Sequence, residues 1–388
     1  EGSTPFGRAQ NQSKMMSARA TIESLLAQAD VAIGGSRSQD VTVYNEHFFA
    51  RALGGGSLAL GEAYMDGRWD CEHLDEFFVK VLAAKLDEKL PWSPSLILLA
   101  LKSLLRNRQS LQRAFNIGRA HYDLGNDLFE RMLDPRMVYS CAYWEKAQNL
   151  AEAQEQKLDL ICRKLKLKKG QRLLDIGCGW GSLLKFAAER YGTAGLGITV
   201  SKAQAELAHT RLAGYPVEVR LADYRKLARA GERFDAIASI GMFEHVGQKN
   251  YRTFFDAVSR MLSQGGLFLL HTIGATITQH NTDPWIDRYI FPGGEIPSVA
   301  QIGGALEGHF VMEDWHNFGP DYDKTLIVWY HNFKSAWPEL REKYGERFYR
   351  MWSYYLLSCA GSFRARRNQL WQIVLSKDGV PGGYHSVR

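Results

Sequence analysis

The sequence predicts an α/β protein: a mostly parallel, doubly wound sheet preceded by a smaller, mainly helical N-terminal unit. Three observations carry that expectation. From about residue 152 onward, apolar runs of strand length alternate with segments of helical periodicity. The first such run, Leu173-Leu174-Asp175-Ile176, opens into Gly177-Cys178-Gly179-Trp180-Gly181, an acid followed by glycines at every second position. Residues 17–90 instead show helical spacing with Gly-rich breaks.

Within the N-terminal unit, Ile22, Leu25, Leu26 and Ala29 recur at helical spacing and mark a first helix. Gly54-Gly55-Gly56 then interrupts, and aromatic-rich sequence follows around Tyr64-Met65-Asp66-Gly67-Arg68-Trp69. Pro91 and Pro94 mark a break before the apolar run Leu96–Leu101. That run leads into Lys102, Arg106, Arg108, Arg113 and Arg119, with no acid between Leu101 and His121. With Trp92 at its start, the segment has the make-up of an interfacial membrane-binding helix, and equally that of a core helix with a linker. Residues 1–16 read as a disordered or added tail, 17–90 as the N-terminal domain, 91–120 as the linker and 121–388 as the main domain.

In the main domain, Asn149 and Glu152 have capping-box spacing at the start of a helix reaching about Leu165. Strands are expected at Arg172–Ile176, Gly195–Val200, Val217–Leu221, Phe234–Ile240 and Leu267–Thr272, with Phe310–Trp315 and Leu370–Ser376 as the last. Tyr251, Phe254, Phe255, Val258, Met261 and Leu262 form one stripe of a helix over Lys249–Leu262, which Gly265 would stop. Residues 275–305, with Trp285, Tyr289 and Phe291 among Pro and Gly signals, read as an insertion over the carboxyl edge of the sheet. Ligands of doubly wound sheets sit at that edge.

The bulk numbers agree. At 388 residues, and roughly 150 per domain, two domains are expected. A 45% hydrophobic and 23% charged composition is ordinary for a globular chain. The net charge of +6 is unevenly placed, in the stretch after Leu101 and in Arg364, Arg366 and Arg367. Either cluster suits phosphate, or simply a solvated helix face. The five cysteines show no Cys-x-x-Cys pair and leave an odd count, so neither a disulfide framework nor a metal site is expected. That usage, and an N-terminus without a signal peptide's apolar core, point to the cytoplasm. No apolar run approaches the roughly 20 residues of a membrane span.

Glycine lacks a Cβ, so the Gly177–Gly181 turn lets the backbone approach a bound nucleoside. The dinucleotide pattern Gly-x-Gly-x-x-Gly carries its third glycine one residue later, which disfavours an NAD dehydrogenase. The spacing here resembles the first motif of S-adenosylmethionine (SAM)-dependent methyltransferases. The second strand ends Gly197-Ile198-Thr199-Val200-Ser201-Lys202-Ala203-Gln204, with no acid for a ribose. Thr199, Ser201 and Gln204 stand there instead, and Ser201 with Gln204 also has capping-box spacing. Asp223, after the third strand, suits either an adenine amino group or solvent.

The set of motifs resembles the cyclopropane-fatty-acid synthases, including the mycolic-acid cyclopropane synthases. Its stretches are His121–Asn126, Tyr139–Trp144, the Gly-Cys-Gly-Trp-Gly turn, Gly197-Ile198-Thr199, Met242–Gly247, His271–Gly274, Asp283–Ile286, Phe318–Asp323 and Phe363–Arg366. They span about residues 17–376. Residues 56–67, Gly-Ser-Leu-Ala-Leu-Gly-Glu-Ala-Tyr-Met-Asp-Gly, look like the bacterial phospholipid-acting branch. The resemblance implies a Rossmann-like SAM-dependent methyltransferase fold, with a seven-stranded, mostly parallel sheet making 121–388 the catalytic domain.

It also implies a reaction. A carbon passes from SAM to the cis double bond of an acyl chain, and proton loss closes a cyclopropane ring. The intermediate carbocation demands a dry, apolar site that nevertheless contains a base. The family's base is bound bicarbonate, held at Cys141, Glu244, His271, Ile273 and Tyr322. His271, the Tyr322 hydroxyl and the backbone N–H groups of Cys141 and Ile273 would donate to it, and Glu244 would accept. For SAM, the resemblance places Tyr139 and Ser140 over the methionine end, Gly177 and Gly179 against the nucleoside, and Thr199 and Gln204 near the ribose. Asp175 would meet the cofactor amine through water or cap the turn. Tyr143, Trp144, Phe243, Trp285, Tyr289 and Phe318 offer faces to a cation, or pack the core.

Expected partners are unsaturated phospholipid at the inner face of the membrane, met peripherally through Trp92–Arg119 and Arg364–Arg367, and a second copy in a homodimer. Nucleic acid is not expected. Two rivals stand beside the synthase. One is a related methyltransferase giving a branched or hydroxylated product without a ring. The other is a non-catalytic lipid- or nucleic-acid-binding module, which leaves the glycine turn unexplained.

Overall fold

The computed structural model describes residues 5–89, 125–279 and 282–388, with side chains from residue 16 onward in the first of these. The first helix, Pro5–Gln28, begins inside the segment read as a tail, and it buries Ile22 and Leu26 as their spacing predicts. A second helix, His47–Met65, passes through all three glycines of the Gly54–Gly56 run. Only Gly56 leaves helical geometry, at φ 56° and ψ −143°, so the expected interruption is a kink. Two short antiparallel strands, β1 (Thr42–Val43) and β2 (Trp69–Asp70), and a helix Leu74–Ala83 complete the unit.

Seven strands form the main sheet: β3 (Arg172–Ile176), β4 (Ala194–Thr199), β5 (Val217–Leu221), β6 (Phe234–Ile240), β7 (Leu262–Ala275), β8 (Val311–Asn317) and β9 (Asn368–Ser376). Their order is β5-β4-β3-β6-β7-β9-β8, and only β9 runs antiparallel to its neighbours. The winding reverses between β3 and β6, which opens a crevice at their carboxyl ends. Helices cover both faces, so Leu173, Leu174, Ile237, Phe268 and Leu269 are all buried, the reason these strands read as continuous apolar runs.

Helix boundaries follow local chemistry. Asn149 caps the helix Leu150–Lys164 by accepting from the Glu152 amide at 3.0 Å, while the Glu152 carboxylate accepts from the Gln148 amide at 2.9 Å. The helix Tyr251–Met261 buries the predicted aromatic stripe. Gly265 does not stop it. Leu262 is already extended, β7 starts there, and Gly265 lies inside that strand at φ 71°.

Between β8 and β9 the chain makes two long helices, Pro320–Tyr344 and Glu346–Arg364. The second packs on Leu74–Ala83 and His47–Met65, and one apolar core runs through both units from Phe48 and Phe78 to Trp352 and Leu370. Gly61 sits flat against Trp285 of the insertion, where a Cβ would lie 2.4 Å from the indole. The N-terminal unit therefore shares its core with the main domain.

This junction corrects the reading of Arg364–Arg367 as a lipid-facing cluster. Arg364 pairs with Asp323 at 2.8 Å and Asp75 at 2.9 Å, and also with Glu76. Arg367 pairs with Asp87 at 2.7 Å and Glu88 at 2.8 Å. These arginines tie the two units together, and Arg366 alone is exposed. The Trp92–Arg119 segment lies outside the described residues. Among the described residues, no helix is long and apolar enough to cross a membrane.

Candidate active site

A cavity of about 170 Å³ opens at the carboxyl ends of β3, β4 and β6. Tyr139, Ser140, Asp175, Gly177, Gly179, Thr199, Gln204 and Asp223 all line it. The turn after β3 folds tightly, with the Gly177 and Cys178 amides both donating to the Ile198 carbonyl at 2.9 and 3.0 Å. Gly177 has φ 88°, and a Cβ there would lie 2.7 Å from Met242, so glycine is required twice over.

The polar groups divide by what already satisfies them. Thr199 Oγ1 donates to Gln204 Oε1 at 2.8 Å, and the Gln204 amide donates to Ser201 Oγ at 3.2 Å, so the capping contact and the cavity position coexist. Asp223 caps the helix Tyr224–Leu227 and pairs with Arg225 at 2.7 Å, which engages both carboxylate oxygens. Asp175 differs. Its Oδ1 is buried without a partner, so it does not cap the turn, and burial raises its carboxyl to about 7 against the opposing charge of Lys157. An unpartnered carboxyl beside a glycine cradle fits a ligand carrying an amine.

A second cluster lies beside the cavity, one or two residues beyond its lining groups Ser140 and Met242. Where β6 ends at Ile240, the Gly241 amide donates to the His271 carbonyl at 2.9 Å. Past that point, among the described residues, β7 meets only a single bridge from Ala275 to Ser298 rather than a strand, and Glu244 Oε1 accepts from the Ile273 amide at 2.7 Å. This corrects the expectation for Ile273, because its N–H is already given to Glu244. Glu244 Oε2 remains buried without a partner, and burial raises the carboxyl to about 7.

His271 is 1% exposed, and burial drives its pKa well below the ordinary value, which keeps the ring neutral. Gln372 on β9 lies directly opposite in the ladder, with its Nε2 3.3 Å from His271 Nδ1. A donor amide at Nδ1 would leave the ring proton on Nε2, and that nitrogen is buried without a partner. Burial pushes the Tyr322 hydroxyl far up, and Cys141 and Glu244 lie within its electrostatic reach. The Cys141 thiol is likewise raised by burial and stays protonated, which excludes it as a nucleophile at neutral pH.

The surroundings are aromatic. Phe318 stands edge-on to His271 at 5.9 Å and to Tyr143 at 5.4 Å, while Tyr322 packs on Phe363 and Trp329. The other aromatic candidates serve packing. Phe243 stacks on Tyr251 at 4.3 Å, Trp285 and Tyr289 meet the N-terminal unit, and Trp144 Nε1 donates to Thr325 Oγ1 at 2.9 Å.

Two polar residues here escaped the sequence reading. Gln372 sits mid-strand among Leu370, Trp371, Ile373 and Val374, and a polar side chain in such a run was the available signal. Lys157 occupies an apolar position of its helix, four residues after Ala153 and four before Ile161, and all three are buried.

Residues 109–373 match the family described as mycolic acid cyclopropane synthetase. The chain is 54% identical over 364 residues to cyclopropane-fatty-acyl-phospholipid synthase of Escherichia coli strain K12, covering 94% of each. It is 37% identical to a probable fatty acid methyltransferase of Pseudomonas putida, over 69% of this chain and 70% of the relative. Among solved structures, cyclopropane synthase MmaA2 from Mycobacterium tuberculosis matches with TM-score 0.64 and 33% identity, over 68% of this chain and 98% of that one. Mycolic acid cyclopropane synthase CmaA1, solved with SAH and CTAB, matches with TM-score 0.63 and 34% identity, again over 68% and 98%. The crevice, its glycine turn and these likenesses agree: the chain belongs to the mycolic acid cyclopropane synthetase family of SAM-dependent methyltransferases.

Proposed function

We propose that this protein transfers a carbon from SAM to the cis double bond of unsaturated phospholipid acyl chains and closes it to a cyclopropane. One observation carries the ring-closing part: Glu244 Oε2 and His271 Nε2 are both buried without partners, beside a cavity that opens at the same sheet edge. Leaving two such atoms unsatisfied is costly unless a polar ligand completes them.

A small oxyanion fits that donor set. The Nε2–H of His271 and the Tyr322 hydroxyl would donate to it, as would the Cys141 amide, which makes no hydrogen bond among the described residues. Glu244 would orient it through Oε2. Bicarbonate, when bound, supplies the base for the ring-closing proton. The chain itself keeps His271 neutral, excludes water with Phe318, Tyr143, Phe363 and Trp329, and offers aromatic faces to a developing cation. The eight cavity residues would hold SAM, with the glycines against its nucleoside and Asp175 toward its amine.

Peripheral contact with the membrane surface and pairing of two copies extend this reading, since the acyl chains lie in a bilayer. The deciding experiment incubates the protein with unsaturated phospholipid vesicles and SAM, with and without added bicarbonate, and analyses the lipids. A product heavier by one CH₂ that has lost its alkene, formed faster with bicarbonate, is expected. A hydroxylated or methyl-branched product would favour the ring-free reaction and overturn the assignment of the base site.

A further inference from the structure

Lys157 is 1% exposed and projects from the helix Leu150–Lys164 into the lining of the cavity. Its Nζ donates to Ser140 Oγ at 2.8 Å. Among the described residues the ammonium forms no ion pair: its hydrogen-bond partner is a neutral hydroxyl, burial lowers its pKa to about 8, and Asp134 and Asp175 act on it only from a distance. Charge buried that way is unfavourable unless an anion arrives. Ser140 accepts from Lys157, and its own proton has no acceptor among the described residues. On the same wall, Asp175 Oδ1 is also buried without a partner. Asp175 and Lys157 lie within electrostatic reach of one another.

One stretch of wall thus presents an uncommitted donor backed by a cation, and an uncommitted carboxylate. An α-amino acid zwitterion carries the complementary pair on adjacent atoms. We propose that Lys157, acting through Ser140, is the counter-charge for the carboxylate of SAM's methionine end, while Asp175 takes its ammonium. The proposal rests on reading this cavity as the SAM site, and it assigns that end its orientation. The Lys157–Ser140 pair thereby seats the cofactor the same way round on each turnover, so Lys157 is a positioning residue.

The test measures calorimetric binding of SAM and of decarboxylated SAM to the full-length protein, wild type against Lys157→Met and Ser140→Ala. The wild type should prefer SAM over the decarboxylated ligand. Each variant should bind SAM about ten- to hundredfold more weakly, as expected for a lost charge-assisted hydrogen bond, with affinity for decarboxylated SAM little changed. The double variant should lose no more than either single one, and KM for SAM should rise more than kcat falls. Equal weakening toward both ligands would make the pair structural and overturn the proposal. So would a wild type indifferent to the carboxylate. Should Lys157→Met fail to fold, Ser140→Ala alone carries the discrimination. A wild type that binds neither ligand would overturn the SAM-site reading itself.

Discussion

Glu244 takes the place of a missing strand. Its Oε1 accepts the Ile273 amide at 2.7 Å just where β6 has ended, and its Oε2 is left free at the sheet edge. One carboxylate thereby closes the ladder and keeps its second oxygen unpartnered beside the cavity. The two duties separate by substitution. Glu244→Gln keeps an acceptor for Ile273, so it should fold normally while turnover falls about a hundredfold or more, with SAM affinity nearly unchanged. Glu244→Ala should in addition lose about 1–3 kcal/mol of stability, because a buried amide loses its acceptor. Thermal melts and lipid-product assays on both variants check this.

Burial raises Glu244 from 4.5 to about 7, so the folded state holds this proton more tightly than the unfolded chain. Its contribution to stability is therefore complete below pH 4.5 and is lost as pH rises through about 7. Asp175 shifts in the same direction, and because Glu244→Gln leaves Asp175 in place, the comparison between the two proteins isolates Glu244. Between pH 5 and 8, wild type should lose more Tm than Glu244→Gln. Parallel Tm curves would show that Glu244 does not titrate in this range.

Gln372 holds His271 from the neighbouring strand, at 3.3 Å from Nδ1. Gln372→Leu frees the ring to take its other tautomer, which points a lone pair instead of a proton at the site. We expect kcat to fall about ten- to hundredfold with KM for SAM unaltered, by analogy with partners that orient ligating histidines. Steady-state kinetics with varied SAM tests it, and a matching rise in KM would assign Gln372 to packing.

Arg364 joins Asp323 to Asp75 and Glu76 across the junction of the two units. Arg364→Ala should destabilise the fold by about 1–2 kcal/mol, since partly buried carboxylates lose their counter-charge while solvent screens part of the effect. Limited proteolysis should cut the N-terminal helices sooner, and vesicle binding should not change. Weaker vesicle binding at equal stability would return Arg364 to the head-group role.

Gly61→Val should act at the same junction from the apolar side. A Cβ already meets the Trp285 indole at 2.4 Å, so the larger side chain forces the ring out at about 1–3 kcal/mol or more. A shifted tryptophan emission together with a lower Tm is the expected signature.

Much of the sheet was legible because its strands are buried on both faces. Continuous runs such as Leu173–Ile176 and Phe234–Ile240 allow one reading, and β3, β5 and β6 have the predicted bounds. Gly265 misled because a glycine after a helical stripe signals a stop only if the helix reaches it, and backbone pairing with β6 claimed Leu262 first. Arg364 and Arg367 misled for a related reason. Charge along a chain names no partner, and those in the N-terminal unit stand 279 to 289 residues away.

The order of residue types in the chain determined the fold class and the glycine cradle, since periodicity and turn chemistry are local properties. Tertiary structure decided the rest: that Ile273's amide belongs to Glu244, that Gln372 stands against His271 Nδ1, and that Lys157 stands buried beside Ser140 and within electrostatic reach of Asp175. Each depends on which groups water is kept from and which partner lies within 3.3 Å, and segments distant in sequence meet those conditions only once packed.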